Sequence, residues 1–315
     1  MVTVLDAHTR VRDSLFDHYF SAFDAEALIR RHAVPDLRPS PGLVTNFLGV
    51  RIDPVFVPSI LPAMAGTVEG IPIPANWHAD IAEWAAALRA VELARGTFAM
   101  IELGCGWGCW INQTAAAARR RGLALDLIGV EGDEGHLAFA RQSATTNAIA
   151  TTELTLHHGI AAADGGVALF PRQDAPGGTW ASAPVFGASE EEQGRLLATG
   201  HYDALPMIAL SAAIGDRRRI DLIHIDIQGG EADLVAACLP ILTERVGYLV
   251  IGTHSRQIEG RLFNDMLGAG WVLEMDRPAI LDLQLPPPFL RVDGLQGWRN
   301  PRVTPVEPET PVSLG

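Results

Sequence analysis

The sequence contains no lysine, so all 24 of its Lys and Arg positions are arginine. This absence excludes a Walker-A phosphate loop, a pyridoxal-phosphate Schiff base and any other mechanism centred on a lysine. Cysteine is also scarce: Cys105, Cys109 and Cys238 form no Cys-x-x-Cys pair, which favours a reduced, intracellular protein. The first twelve residues lack the apolar core of a signal peptide, and no apolar run reaches membrane-spanning length. We therefore expect a cytoplasmic protein that does not insert into a membrane.

The chain also has fewer basic than acidic residues. The 37 acidic residues outnumber the basic ones and leave a formal net charge of −13. Such a charge disfavours duplex nucleic acid and anionic membranes as partners. Apolar residues make up 48% of the 315 residues, which is enough for a sizeable folded core.

The most informative motif is a glycine-rich turn after an apolar run. Residues 98–101 are apolar, Glu102 follows, and glycines stand at the alternate positions Gly104, Gly106 and Gly108. An alanine-rich, helix-like stretch comes next. Glycines let the backbone turn tightly after a strand, and the N-terminus of the following helix offers free N–H groups to a ligand. This pattern predicts the nucleoside-binding first unit of an open α/β sheet.

Two carboxylates indicate which nucleoside is bound. A second apolar run, residues 127–130, ends in Glu131, which can accept hydrogen bonds from both ribose hydroxyls. Glu102 would repel a pyrophosphate and suits an ammonium group, such as the one in the methionine half of S-adenosylmethionine. The spacing is Gly-x-Gly-x-Gly and not the Gly-x-Gly-x-x-Gly of dinucleotide sites. The alternative is an ordinary glycine-rich turn between a strand and a helix.

Alternating strand and helix patterns continue along the chain. They predict strands near 97–103, 126–131, 153–158, 220–226, 248–251 and 271–275, with a last strand within 280–293. We expect a doubly wound α/β fold with a mostly parallel seven-stranded sheet. We predict a partly helical N-terminal extension over residues 1–75, which contributes to the acceptor pocket or to an oligomer contact, a main domain over 76–300 and a disordered tail over 301–315. The segment 172–200, rich in Gly, Pro, Ala and Ser, is predicted to be a loop that acts as a lid, binds a ligand or is disordered.

Residues 76–293 resemble a known family. The segment 102–108 resembles motif I of class I S-adenosylmethionine-dependent methyltransferases, and Glu131 matches their ribose-binding acid. The block from Ile220 to Val235 is similar to the Asp-x-x-Gly-x-Glu signature of the FkbM family, and residues 158–170 and 252–273 also fit that family. The resemblance implies a Rossmann-like enzyme that methylates a hydroxyl oxygen of a small molecule or saccharide. Two departures are His224, where many relatives have lysine, and residues 251–253, where relatives have an aliphatic-Glu pair.

Two residues are candidates for catalysis. His254 follows a strand and could act as a base, since an ordinary imidazole titrates near neutral pH; otherwise it is structural. Asp226 ends the strand 220–226 and could orient the acceptor, take its proton or hold a metal; otherwise it caps a helix. Glu231 could bind Mg²⁺ together with Asp226, or it could be an acidic first-turn residue that the helix dipole stabilises. We assign no metal ligands.

The remaining candidates contact the cofactor. Cys105 is expected to be a small packing residue of the glycine loop, and Trp107 packs on the methionine portion or anchors the loop. Gly159 and Ile160 follow the third strand, where Gly159 flanks the adenine. The rival interpretations are an NAD(P)-dependent oxidoreductase and a non-catalytic module that keeps the fold. The chain could also form oligomers.

Overall fold

The chain winds strands and helices around one large sheet in a computed structural model, which describes residues 14–173, 175, 179–180, 182–284 and 286–305. The α-helices are α1 (Ala25–His32), α2 (Ile81–Leu93), α3 (Cys109–Arg120), α4 (Glu134–Thr146), α5 (Glu190–Ala198), α6 (Leu210–Ile214), α7 (Glu231–Arg245) and α8 (Arg256–Gly268). Short 3₁₀ turns cover Leu15–Asp17, Pro54–Phe56 and Leu61–Met64.

The strands are β1 (Phe20–Ser21), β2 (Val44–Thr45), β3 (Arg51–Ile52), β4 (Thr97–Leu103), β5 (Ala124–Glu131), β6 (Leu154–His158), β7 (Ile160–Ala162), β8 (Gly166–Pro171), β9 (Tyr202–Ala209), β10 (Ile220–Ile225), β11 (Val246–Thr253), β12 (Val272–Arg277), β13 (Ile280–Asp282), β14 (Phe289–Val292) and β15 (Gly294–Arg299). Within the described ranges no helix has the length and apolar character needed to cross a membrane.

The central sheet has eight strands in the order β1-β12-β15-β11-β10-β4-β5-β6. The five strands from β11 to β6 run parallel, and β15 pairs antiparallel with both β11 and β12. The predicted doubly wound, mostly parallel architecture is confirmed, but the prediction of seven strands is wrong. The eighth strand is the two-residue β1, which the N-terminal residues add at the edge beside β12.

Helices cover both faces of this sheet. Strand β10 is buried along its whole length, and β4 is buried from Phe98 onwards, as expected for parallel strands covered on both sides. Met100 belongs to the core shared with α2, α3 and residues 25–61, whereas Ile101 belongs to the core on the opposite face, shared with α7 and α8. The residues before position 62 therefore pack into one of the two main cores, where Phe56 is fully buried.

The last strand was misplaced by the sequence patterns. The apolar residues that suggested a strand within 280–293 lie in the separate hairpin of β13 and β14, where Leu283 is 72% and Phe289 51% exposed. The sheet is completed instead by β15, which contains two glycines. A Cβ atom at Gly297 would lie 2.9 Å from Met275 and from the hydroxyl of Tyr248, so only glycine fits between those strands.

The segment 172–200 is not one continuous loop. Ser189 caps α5 by accepting a hydrogen bond from the Glu192 N–H. The acidic run 190–192 forms the first turn of that helix, where the helix dipole stabilises negative charge. Strand β9, which the patterns did not predict, joins β7 and β8 in a small sheet. Part of the remaining segment, 174, 176–178 and 181, lies outside the described residues.

Two segments extend further than the sequence patterns predict. The patterns predict that the helix after Gly230 ends at about position 239, but α7 continues through Pro240 to Arg245. Residues 301–304 form a turn in which the Thr304 hydroxyl donates to the carbonyl of Asn300 at 2.8 Å, so ordered structure extends past position 300. The rest of the predicted tail, 306–315, lies outside the described residues.

Candidate active site

A cavity of about 660 Å³ opens at the carboxyl ends of β4, β5, β10 and β11. This is where open α/β sheets bind their ligands. Of the predicted site residues, it is lined by Glu102, Gly104, Cys105, Gly106, Trp107, Glu131, Gly159, Ile160, Asp226 and His254. Gly108 is the exception, since it lies behind the loop as the N-cap of α3.

The glycine loop depends on its glycines. Gly104, Gly106 and Gly108 have φ angles of 75°, 51° and 73°, which side chains rarely adopt. A Cβ atom at Gly104 would lie 2.3 Å from the carbonyl oxygen of Asp226. The loop therefore lies directly against the backbone that follows β10, and bare peptide faces the cavity.

Glu131 is held by backbone donors at the end of β5. Its two carboxylate oxygens accept hydrogen bonds from the N–H groups of Gly106 and Asp133, each at 2.8 Å. Each oxygen keeps a further lone pair, so the carboxylate can still accept hydrogen bonds from a ligand. Its position links the glycine loop to the second strand of the nucleoside unit.

Glu102 is buried beneath the loop, with 2% exposure. Its oxygens accept hydrogen bonds from the N–H groups of Trp110 at 3.0 Å and Ile111 at 2.9 Å, so it caps the first turn of α3. Burial raises the pKa of Glu102 to about 7, although the nearby His224 imidazole and the two backbone donors oppose that shift. The carboxylate is therefore poised to ionise when a cation arrives.

Two other loop residues have packing roles. Burial raises the pKa of the Cys105 thiol well above its ordinary value, which leaves it un-ionised and unsuited to act as a nucleophile. Trp107 is 2% exposed and stacks on Phe56, with ring centroids 5.6 Å apart. Trp107 thus anchors the loop to the N-terminal residues, one of the two roles expected from the sequence.

Gly159 and Ile160 form the far wall beside Glu131. The Gly159 N–H donates to the backbone carbonyl of Glu131 at 2.9 Å, and a Cβ atom at Gly159 would lie 2.5 Å from the carbonyl of Pro206. Ile160 begins β7 and pairs with Met207 of the unpredicted β9. The small sheet therefore builds this side of the cavity.

Asp226 and His254 meet where β10 and β11 end. The imidazole lies between two carboxylates, with Nε2 3.3 Å from Oδ1 of Asp226 and Nδ1 2.9 Å from Oε1 of Glu231. Side-chain exposure falls from 44% at Asp226 to 15% at His254 and 0% at Glu231. Asp226 and His254 both line the cavity, and Asp226 is the most exposed member of this chain of hydrogen bonds.

The charges of these groups differ from the sequence-based expectation. Burial alone would lower the pKa of His254, but the carboxylates of Asp226 and Glu231 raise it to about 10. Desolvation raises the pKa of Asp226, but the hydrogen bond and charge of His254, the charge of His224 and the Gln228 amide together outweigh it and lower that pKa below its ordinary value. These shifts favour a protonated His254 beside an ionised Asp226, an arrangement in which Asp226 rather than His254 is the available base.

The contacts of Asp226 and Glu231 bear on the alternative roles considered for them. Asp226 does not cap α7, whose N-cap is Gly230 without a side-chain cap bond. Oε1 of Glu231 accepts hydrogen bonds from the N–H groups of Ile227 and Gly229, so Glu231 holds the loop between β10 and α7. Among the described residues, Asp226, Glu231 and His254 are close enough to share a metal ion. The imidazole, however, already bridges the carboxylates as their cation, so we derive no step from Mg²⁺.

Several lining residues were not expected from the sequence. Glu83 and His78 come from α2 and the segment before it, Arg277 from β12, and Trp180 from the segment 172–200. Trp180 stacks on His136 with centroids 4.2 Å apart and contacts Gly106. No local spacing marks these residues, because each reaches the cavity only through tertiary packing.

One curated protein and two solved structures show what the chain resembles. A protein of Jannaschia sp. (strain CCS1), described as "Putative methyltransferase", is 46% identical over 262 residues, which is 83% of this chain and 94% of the relative. The solved methyltransferase FkbM from Methylobacillus flagellatus KT is 13% identical with a TM-score of 0.43, covering 69% of this chain and 54% of that one. This chain thus spans about half of the solved FkbM chain.

The other solved structure is described as a "putative RNA methyltransferase" from Pyrococcus horikoshii. It is 9% identical with a TM-score of 0.39, and the match covers 74% of this chain and 89% of that one. Likenesses this distant do not bear on the acceptor. No protein-family model matches the chain.

Proposed function

Since the chain belongs to a family of methyltransferases, we propose that it transfers the methyl group of S-adenosylmethionine to a hydroxyl oxygen of a small-molecule or glycan-like acceptor. One observation carries the proposal. A single cavity joins the glycine loop and Glu131, which suit a nucleoside, to the ion pair of Asp226 and His254, which suits proton transfer.

The cofactor would lie along the glycine loop. Glu131 has acceptor capacity left for the ribose hydroxyls, and Gly159 and Ile160 flank the same part of the cavity. Glu102 offers a carboxylate to the ammonium group of the methionine half. An arriving ammonium would favour the ionised form of Glu102, which burial otherwise disfavours.

The acceptor would approach Asp226. S-adenosylmethionine, when bound, would supply an activated methyl carbon that accepts the hydroxyl oxygen as the carbon–sulfur bond breaks and the sulfonium becomes a neutral thioether. The hydroxyl proton passes to the Asp226 carboxylate, with the His254 imidazolium holding that carboxylate in place. A carboxylate of low pKa is sufficient, because the oxygen becomes strongly acidic as it bonds to the methyl carbon.

The cavity also favours a small acceptor over nucleic acid. Residues 75–80 line it together with Trp180 and Phe186, and the chain carries a net charge of −13. A polyanionic acceptor would be repelled by that charge. The partly aromatic wall formed by Trp77 and Trp107 suits a compact acceptor.

The cofactor is tested by thermal unfolding with S-adenosylhomocysteine, S-adenosylmethionine or NAD⁺. A ligand at one hundred times its dissociation constant should add about 2.7 kcal/mol to the free energy of unfolding. We expect the two sulfur nucleosides to stabilise the protein and Glu131→Gln to weaken that effect. Stabilisation by NAD⁺ alone would favour an oxidoreductase and overturn the proposal.

The chemical step is tested with Asp226→Asn. S-adenosylhomocysteine production is measured over a panel of catechols, sugars and hydroxy acids, with Asp233→Asn, an exposed aspartate of α7, as the control. We expect the Asp226 variant to keep its affinity for S-adenosylhomocysteine and lose at least about 100-fold in rate. An unchanged rate would refute the assigned role of Asp226. Cofactor binding without turnover of any acceptor would favour the non-catalytic module.

A further inference from the structure

A second group of charged side chains lines the same cavity where α2 packs on β10. Glu83, in the first turn of α2, places Oε1 3.1 Å from Nε2 of His224 on β10. His224 is the register partner of Glu102 on β4. Two carboxylates from distant parts of the chain therefore lie beside one imidazole.

The imidazole of His224 is tightly held and still has an open polar atom. It is 3% exposed and stacks on Trp110, with ring centroids 5.4 Å apart. Its Nδ1 atom is buried and has no hydrogen-bond partner in the described part of the chain. Among the described residues Glu83 is therefore the hydrogen-bond partner of this imidazole, so the ring and the Glu83 carboxylate hold each other in position.

Negative charge is in excess around this imidazole. Burial would lower the pKa of His224, but the carboxylates of Glu83, Glu102 and Asp226 outweigh it and raise that pKa. The neighbouring His78 is neutral, because burial lowers its pKa to about 4. One imidazole thus faces three carboxylates, an arrangement that suits a cationic ligand group.

Glu102 alone does not satisfy an ammonium group. Each of its oxygens already accepts one hydrogen bond from the first turn of α3, so at most one lone pair per oxygen remains, and the side chain is almost fully buried. An ammonium group has three N–H donors. The Glu83 side chain is 21% exposed and faces the cavity, so it can supply the acceptor that Glu102 lacks.

We propose that Glu83 binds, together with Glu102, the α-ammonium group at the amino-acid end of S-adenosylmethionine, and that His224 positions Glu83 for this contact. The inference rests on the proposed function and extends it to a residue outside the glycine loop. Helix α2 thereby becomes part of the cofactor site and not only of the core.

The test compares two nucleosides that differ only in the ammonium group. Calorimetry measures the dissociation constants of S-adenosylhomocysteine and of 5′-S-(3-carboxypropyl)-5′-thioadenosine, its deaminated analogue, for the wild type and Glu83→Gln. We expect the substitution to weaken S-adenosylhomocysteine binding at least about tenfold, as for a lost hydrogen bond between charged groups, and to leave the analogue nearly unchanged. Glu83→Asp, which keeps the charge, should recover part of the loss.

The matched control is Glu92→Gln on the same helix. Glu92 has a similar exposure of 19%, pairs with Arg31 and does not line the cavity, so both ligands should bind as to the wild type. The ratio of the two dissociation constants is internal to each variant and does not depend on the fraction that folds. An unchanged ratio in Glu83→Gln would overturn the inference and leave the methyltransferase proposal intact. Failure of the wild type to bind either nucleoside would overturn both.

Discussion

Replacing His254 with glutamine tests the charge state of the candidate active site. Glutamine keeps a donor toward Asp226 but cannot carry a proton through the neutral and alkaline range. The pKa of His254 rises from 6.5 to about 10 on folding, because Asp226 and Glu231 each lie within hydrogen-bonding reach of the ring, and Asp293 adds negative charge nearby.

The sign of the effect follows from proton binding. Between pH 6.5 and about 10 the folded protein holds a proton on His254 that the unfolded chain has released. Because the folded protein binds this one extra proton, the free energy of unfolding falls by about 1.4 kcal/mol for each pH unit of increase in this range. The stabilisation is therefore complete below pH 6.5 and is lost as the pH rises through about 10.

The stabilising free energy that corresponds to this pKa shift is reduced because solvent screens the charges. A shift of this size would correspond to about 5 kcal/mol if the group were fully shielded. Because His254 lies at a cavity and is 15% exposed, we expect about 2 kcal/mol in all. The variant should be less stable than the wild type at pH 6.5 by at least that amount, and the gap should narrow toward pH 10.

Urea unfolding at half-unit steps from pH 6 to pH 10 measures this gap. Because the chain contains no lysine, no lysine titration contributes to the pH dependence of unfolding in the alkaline range. The buried Cys105 and Tyr248, whose pKa values burial raises, contribute equally to both proteins and cancel in the difference. His201→Gln, at an exposed position, is the control. A gap that does not change with pH would refute the imidazolium between two carboxylates.

Two further predictions concern stability. Gly104→Ala should lower the urea midpoint more than Gly96→Ala. Both glycines have a φ above 70°, but only at Gly104 would a Cβ atom meet backbone, at 2.3 Å. Equal losses in the two variants would contradict the close packing of the glycine loop. Arg277→Met should cost about 3–5 kcal/mol, because it leaves the buried carboxylate of Asp80 unpaired. Arg30→Met, in an exposed pair, should cost less than about 1 kcal/mol, and similar urea midpoints for these two variants would argue against the buried pair.

The first half of the nucleoside unit was predictable because its signals are local. The apolar runs ending at Glu102 and Glu131 become β4 and β5, and the glycines between them adopt the positive φ values that the turn requires. Asp226 also lies at the expected strand end. Each of these features depends on residues within one turn or one strand.

Other elements carried misleading local signals. The sequence predicted a strand within 280–293, but the leucines at positions 281 and 283 are exposed. In β15, Gly297 is explained only by its close packing against Met275 and Tyr248 of the neighbouring strands. Strand β9 was missed within the stretch that follows the predicted loop, because its partners β7 and β8 precede it by dozens of residues. Pairing with distant strands overrode local patterns in these places.

Local patterns were sufficient to identify the doubly wound architecture, the glycine loop and the edge of the sheet on which the candidate site residues lie. Tertiary contacts were needed to place His254 between Asp226 and Glu231, and to bring Glu83 to His224 from a helix 141 positions earlier. Turn geometry and burial patterns act over a few neighbouring residues. Charge states depend on distances between segments that folding alone brings together.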